Sequence, residues 1–111
     1  MIDDGIDGIA VKPDAATAIF RIVQELLSNV LRHAQASVIE VRVTQQQQSI
    51  CIEVTDNGIG IESAQILSDK SWGIMGMYER VHPFHGELKI RRHEKGGTVA
   101  ILHLPLEAIH A

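Results

Sequence analysis

Glu25, Asn29 and His33 recur at intervals of four residues, and Arg32 stands three beyond Asn29, in a stretch whose intervening positions are largely apolar. On a helix these four side chains project together. An acid, an amide and two potential cations in axial order have two readings. One is a solvated helix face, which accounts for neighbours such as Arg21 and Gln24 without further chemistry. The other is a hydrated metal ion followed by a row of phosphates, with the carboxylate and amide oxygens at the metal and the cations at the anion. A second candidate is Asp56-Asn57-Gly58-Ile59-Gly60, a carboxylate followed by two closely spaced glycines. Gly58 and Gly60 can take positive φ and let a ligand touch the main chain, which suits a binding edge, although Asn-Gly alone is also a turn signal. His82 and His85 have the spacing of metal ligands, but no third ligand stands near and a proline lies between them, so zinc is not expected.

The elements that must position these residues follow from periodicity. After Pro13, Asp14 is the expected N-cap of a helix whose apolar residues recur from Ile19 through Ile22, Val23, Leu26, Leu27, Val30 and Leu31 to Ala34. Val38 to Thr44 alternates with Ile39, Val41 and Val43 inward, and Ser49 to Thr55 alternates with Ile50, Ile52 and Val54 on one face. The glutamine tract Gln45 to Gln48 reads as their hairpin connection, and Asp56 falls at a strand's end. Residues 61 to 72 hold no sustained period and read as a mobile loop. A short helix is expected through Ile74, Met77 and Val81, interrupted by Pro83 and stopped by Gly86, then two strands around Leu88 to Ile90 and Val99 to Leu104. A weak edge strand is expected near Ile6, Ile9 and Val11. One sheet with its helices on a single face satisfies this order, an α/β sandwich of two layers.

Four stretches together carry a family resemblance. Gln24 to Ala34 resembles the N-box of the GHKL ATPase superfamily, in particular that of sensor histidine kinases of the NarL-partnered subfamily. Asp56 to Gly60 looks like the first glycine box, Gly73 to Val81 like the second, and Gly96-Gly97-Thr98 like the glycine-threonine motif before the last strand. They occur in family order. The resemblance implies a Bergerat-type ATP-binding domain over residues 1–111, with 1–13 as a lead-in, a mixed sheet and a flexible ATP lid over 61–72.

By that resemblance, Asp56 accepts a hydrogen bond from the exocyclic amine of adenine, where guanine would present a carbonyl oxygen, so ATP is expected over GTP. Gly58 and Gly60 let the backbone pass the base, and Thr98, after Gly97, supports the adenine end. Gly73, Gly76 and Met77 of the second glycine box lie on the phosphate side, where a helix start favours anions. Asn29 is implied as the Mg2+ ligand, and Glu25 as the catalytic acid that positions water around that ion. Arg32, where the family often has lysine, and His33 are implied at the phosphates; arginine offers a planar fork instead of a point charge. Pro83 departs from the family's usual second helix. The implied activity is transfer of the γ-phosphoryl group to a histidine on a separate dimerisation and phosphoacceptor domain, with a response regulator downstream. Two alternatives stay open: a serine-kinase anti-sigma factor of the same superfamily, and a nucleotide-gated interaction module without transfer.

Bulk properties agree. At 111 residues the chain is expected to be one domain. Its 10 Lys and Arg against 14 Asp and Glu give a net charge of -4, which argues against a nucleic-acid partner held by neutralised phosphates. The only cysteine, Cys51, excludes a disulfide framework and suits a reducing, cytoplasmic compartment. The start is acidic where a signal peptide is basic, and no stretch approaches the roughly 20 apolar residues of a membrane span, so direct membrane insertion is not expected.

Overall fold

The computed structural model describes residues 2–4, 10–60 and 73–110. The expected lid over 61–72, with Trp72, and the lead-in positions Ile6 and Ile9 lie outside the described residues. The first helix, α1, runs Pro13–Asn29 and continues into a π-helical turn, Val30–Ala34. It begins two residues earlier than expected. Lys12, not Asp14, is the N-cap, and it makes no side-chain capping bond. Pro13 takes the first helical position, where its missing N–H costs nothing. Asp14 sits in the first turn, its Oδ1 accepting from the Ala15 amide at 2.9 Å, and its charge suits the helix's positive end.

The apolar spacing buries Ala15, Ile22, Leu26 and Val30, as the periodicity requires, but Leu31 is 80% exposed. At about 100° per residue, Leu31 falls on the side of the helix opposite Ala15, Ile22 and Leu26, so solvent exposure is where regular helical geometry puts it. Gln35, at φ 53, then ends the helix in the left-handed region.

The sheet comprises β1 (Ile2–Asp4), β2 (Ile39–Gln46), β3 (Ser49–Asp56), β4 (Glu87–Arg92) and β5 (Thr98–Pro105), in the order β1-β2-β3-β5-β4. The β1–β2 pair is parallel and the rest antiparallel, so the sheet is mixed. A lead-in strand lies at Ile2–Asp4, while Val11 forms an isolated bridge with His110. The second helix, α2, spans Ile74–Val81, and Pro83 falls in a separate 3-10 turn, His82–Phe84. The left-handed residue that stops it is His85 (φ 55), not Gly86. Gly86 serves close approach instead, since a Cβ there would stand 2.7 Å from Leu104 Cδ2. A last short helix, α3 (Leu106–Ile109), lacks any counterpart in the expected order; Ile109 is fully buried.

Strand alternation turns Ile50, Ile52, Val54, Ala100, Leu102 and Leu104 toward the helices, where they form one core with Ile22, Leu26, Ile74 and Met77. The opposite sheet face carries Glu40, Arg42, Glu53, Lys89 and Arg91. Two layers, helices on one side, is the observed architecture. Among the described residues no helix is long and apolar enough to cross a membrane.

Candidate functional site

The alternation that buries Ile50, Ile52 and Val54 places Asp56 last in the same series, at the core's rim and only 3% exposed. A buried carboxylate needs donors. Its Oδ1 accepts from the Gly58 amide at 2.8 Å, which fixes the carboxylate's orientation. Asp56 opens on a recess walled by Leu26, Val54, Ile74 and Ile90, with Asn29 and Thr98 as its other polar residues. Thr98 lies on β5 one register step beyond the Thr55–Val99 pair, directly beside Asp56. Its Oγ1 is buried without a hydrogen-bond partner among the described residues. Such an orphaned hydroxyl is costly unless a ligand or water meets it.

The turn before β5 closes against the same carboxylate residue. The His93 amide donates to Gly97 O at 2.8 Å, and Gly97 has φ 95. A Cβ on Gly97 would overlap the Asp56 carbonyl. Of the two glycines behind Asp56, only Gly60 takes positive φ (81); Gly58 does not, and its amide donates to Asp56 Oδ1. A Cβ on Gly60 would stand 2.9 Å from both Arg92 Cγ and Gly97 O. Asn57, between Asp56 and Gly58, has a role that its turn propensity alone did not announce. Its Oδ1 accepts from the amides of Ser37 and Val38, both at 2.9 Å, and its Nδ2 donates to Ser37 Oγ at 2.8 Å. The end of β3 is thereby tied to the connection between α1 and β2.

The polar ridge of α1 assembles at the other side of the recess. Asn29 is 3% exposed, and Arg32 Nη2 donates to Asn29 Oδ1 at 3.1 Å and to Glu25 Oε1 at 3.2 Å. Three of the four expected ridge residues are thus in contact; His33 contributes its backbone to the π turn, and its side chain lies outside the described residues. Gly73, at φ 67, caps α2 directly against Glu25, where a Cβ would stand 2.5 Å from Oε1. A second recess, ≈ 570 Å³, is lined by Glu25, Gly73 and Gly76 with Arg21 and Arg80 beside them. Gly76 has open space around it, and a Cβ there would meet nothing within 4 Å, so packing does not demand glycine. Met77 borders this recess but is 1% exposed and belongs to the core.

Sequence reasoning overlooked Arg92, which covers Gly60, and read Ile90 only as a strand residue, not as a wall of the recess; the alternation of Leu88 and Ile90 extended by one more step would have found Arg92. Asp56 and Thr98 set a carboxylate and a hydroxyl at the rim of apolar walls, chemistry that suits the polar edge of an amine-bearing ring, and the start of α2 favours an anion. Glu25 and Asn29 present hard oxygen donors to one shared point, a donor set that fits magnesium.

A family model described as "Histidine kinase-, DNA gyrase B-, and HSP90-like ATPase" matches residues 14–108. The signal transduction histidine-protein kinase/phosphatase DegS of Brevibacillus brevis is 37% identical over 89 residues, 80% of this chain and 23% of that protein. The nitrate/nitrite sensor protein NarX of Escherichia coli is 36% identical over 87 residues, 78% of this chain and 14% of that protein. This chain therefore spans less than a quarter of either relative's length. Among solved structures, the histidine kinase domain of a blue-light activated histidine kinase from Erythrobacter litoralis superposes with a TM-score of 0.80 at 24% identity, over 96% of this chain and 51% of that one. At that identity the likeness speaks for the fold.

Proposed function

Because the chain belongs to the histidine kinase-, DNA gyrase B- and HSP90-like ATPase family, we propose that it is the ATP-binding catalytic domain of a sensor histidine kinase, donating the γ-phosphoryl group of ATP to a histidine on a separate dimerisation and phosphoacceptor domain. The observation that carries this reading is the pairing of Asp56, buried and held at the recess rim, with the unpartnered Thr98 hydroxyl beside it. Asp56 accepts from the adenine amine, and Thr98 completes the base's polar edge directly or through water. Guanine would set a carbonyl oxygen against the carboxylate, leaving two acceptors unpaired in a desolvated site. Gly97 and Gly60 keep the backbone close enough for this fit.

At the phosphate end, Gly73 brings the positive end of α2 beside Glu25, Gly76 leaves room above the first turn, and Arg32 and His33 supply cations. Asn29 and Glu25, the latter through water, would hold magnesium, which when bound neutralises phosphate charge. The acceptor imidazole attacks phosphorus with its own nitrogen lone pair, the bond from the γ-phosphorus to the bridging oxygen breaks, and ADP leaves with that electron pair. Glu25 therefore acts on the water shell and need not remove a proton from the acceptor. We place the domain in the cytoplasm, with a response regulator as the onward acceptor.

Calorimetric titration tests the reading. Magnesium-ATP gives binding heat, magnesium-GTP little, and Asp56→Asn weakens ATP about 10- to 100-fold, the range for a lost hydrogen bond to a charged group. Equal affinity for GTP would overturn the adenine assignment. Supplying a phosphoacceptor domain and following labelled phosphate gives an acid-labile product on histidine; an acid-stable product would point to serine.

A further inference from the structure

The two oxygens assigned to magnesium already share a cation. One nitrogen, Arg32 Nη2, stands 3.2 Å from Glu25 Oε1 and 3.1 Å from Asn29 Oδ1. A long side chain on a helix leans back toward the amino end, so a residue three beyond Asn29 and seven beyond Glu25 reaches both. Magnesium holds its oxygens at about 2.1 Å in near-octahedral order, and a guanidinium lying on the same oxygens blocks that approach. We propose that Arg32 is a built-in stand-in for the metal: in the nucleotide-free domain it neutralises Glu25 and keeps Glu25 and Asn29 aimed at one point, and metal arriving with the nucleotide evicts it toward the phosphates. This rests on Glu25 and Asn29 being the metal side of the site, as the proposed function has them.

Three further features fit the exchange. The side chains of Arg32 and Glu25 are 51% and 36% exposed, so the pair is screened by water and weak enough to give way. Asn29 is 3% exposed and has other interactions, so it stays in place when the arginine leaves. Gly73 lacks a side chain where a Cβ would stand 2.5 Å from Glu25 Oε1, which keeps that oxygen reachable from the second recess. Charge stays balanced throughout: carboxylate with guanidinium before, carboxylate with metal and guanidinium with phosphate after. Arg32 is in these terms a positioning residue for the metal ligands as well as a phosphate ligand.

The test uses Mn²⁺ alone, titrated into the nucleotide-free domain and followed by electron paramagnetic resonance. Arg32→Gln, an exposed change whose folding is checked by thermal melting, is expected to raise Mn²⁺ affinity about two- to fivefold, the range of an exposed ion pair removed. Arg91→Gln removes a charge on the opposite face of the sheet that forms no salt bridge among the described residues, and is expected to leave Mn²⁺ uptake unchanged. Equal rises in the two variants, or no rise with Arg32→Gln, overturn the exchange. A parallel titration of the unaltered domain with magnesium-ATP separates the two layers. Loss of ATP binding there removes the functional reading, whereas ATP binding with unaltered Mn²⁺ uptake removes only the exchange.

Discussion

Gly97 and Gly76 belong to motifs of the same type, yet the structure gives them opposite reasons to exist. Gly97 combines φ 95 with backbone contact to Asp56, so Gly97→Ala should cost at least about 2 kcal/mol and lower the urea midpoint. Gly76 lies inside α2 with open space where a Cβ would be, so Gly76→Ala should leave stability unchanged or raise it by up to about 1 kcal/mol. If Gly76→Ala keeps the fold but weakens ATP in calorimetry, close approach of phosphate is the reason for that glycine. Cys51, on the outward face of β3, offers a pH prediction. Burial, then the neighbouring Glu53 carboxylate, raise its thiol above the ordinary value. The protonated form is favoured by folding, so this contribution is fully present below the ordinary thiol range near pH ~8.5 and is lost as pH rises through the folded value. Alkylation at pH 7 should be slow compared with a free thiol and accelerate above that range; fast labelling at neutral pH would contradict the burial.

At the scale of elements, the strands were legible because both faces of the pattern are clean: the observed β2 and β3 differ from the expected spans only at their ends, with Gln47 and Gln48 as the turn. The ends of the helices were less so. Nothing in local sequence marks the π turn after Asn29, whereas the burial of Asn29 beside Leu26 and the exposure of Leu31 follow from helical periodicity. Pro83 correctly signalled that α2 would be short, but the left-handed stop fell on His85, because Gly86 was needed against Leu104. Asn57 was legible only as a turn former, since its partners Ser37 and Val38 are far away in sequence. Asn57→Ala removes the clamp between the end of β3 and the α1–β2 connection and should cost about 1–2 kcal/mol, as two backbone amides lose their acceptor at the surface. Because Asp56 precedes it, ATP affinity should fall as well, which calorimetry on the folded variant would read.

For the molecule as a whole, a two-layer sandwich was predictable from the order of elements; residue types alone offered the end of β3 as a binding edge, and the four motifs entered through the family resemblance. Beyond reach was α3, four residues too short to hold a period, whose Ile109 is fully buried in the shared core. Ile109→Ala should destabilise by about 2–4 kcal/mol and lower the melting temperature while ATP affinity of the folded protein stays unchanged, the sign of a residue remote from the recess. Remoteness follows from the path of the chain. The Lys12 amide donates to Ile109 O at 2.8 Å, Val11 bridges His110, and the Leu106 amide donates to Gln48 O at 2.8 Å, so both flanks of the domain gather at the hairpin end. Asp56 stands at the opposite end of β3, about 25 Å away for eight residues of strand. A tilt of the sheet about the hairpin end therefore carries the Asp56 recess through a wide arc while the flanks hardly move, and it leaves the recess's own contacts intact.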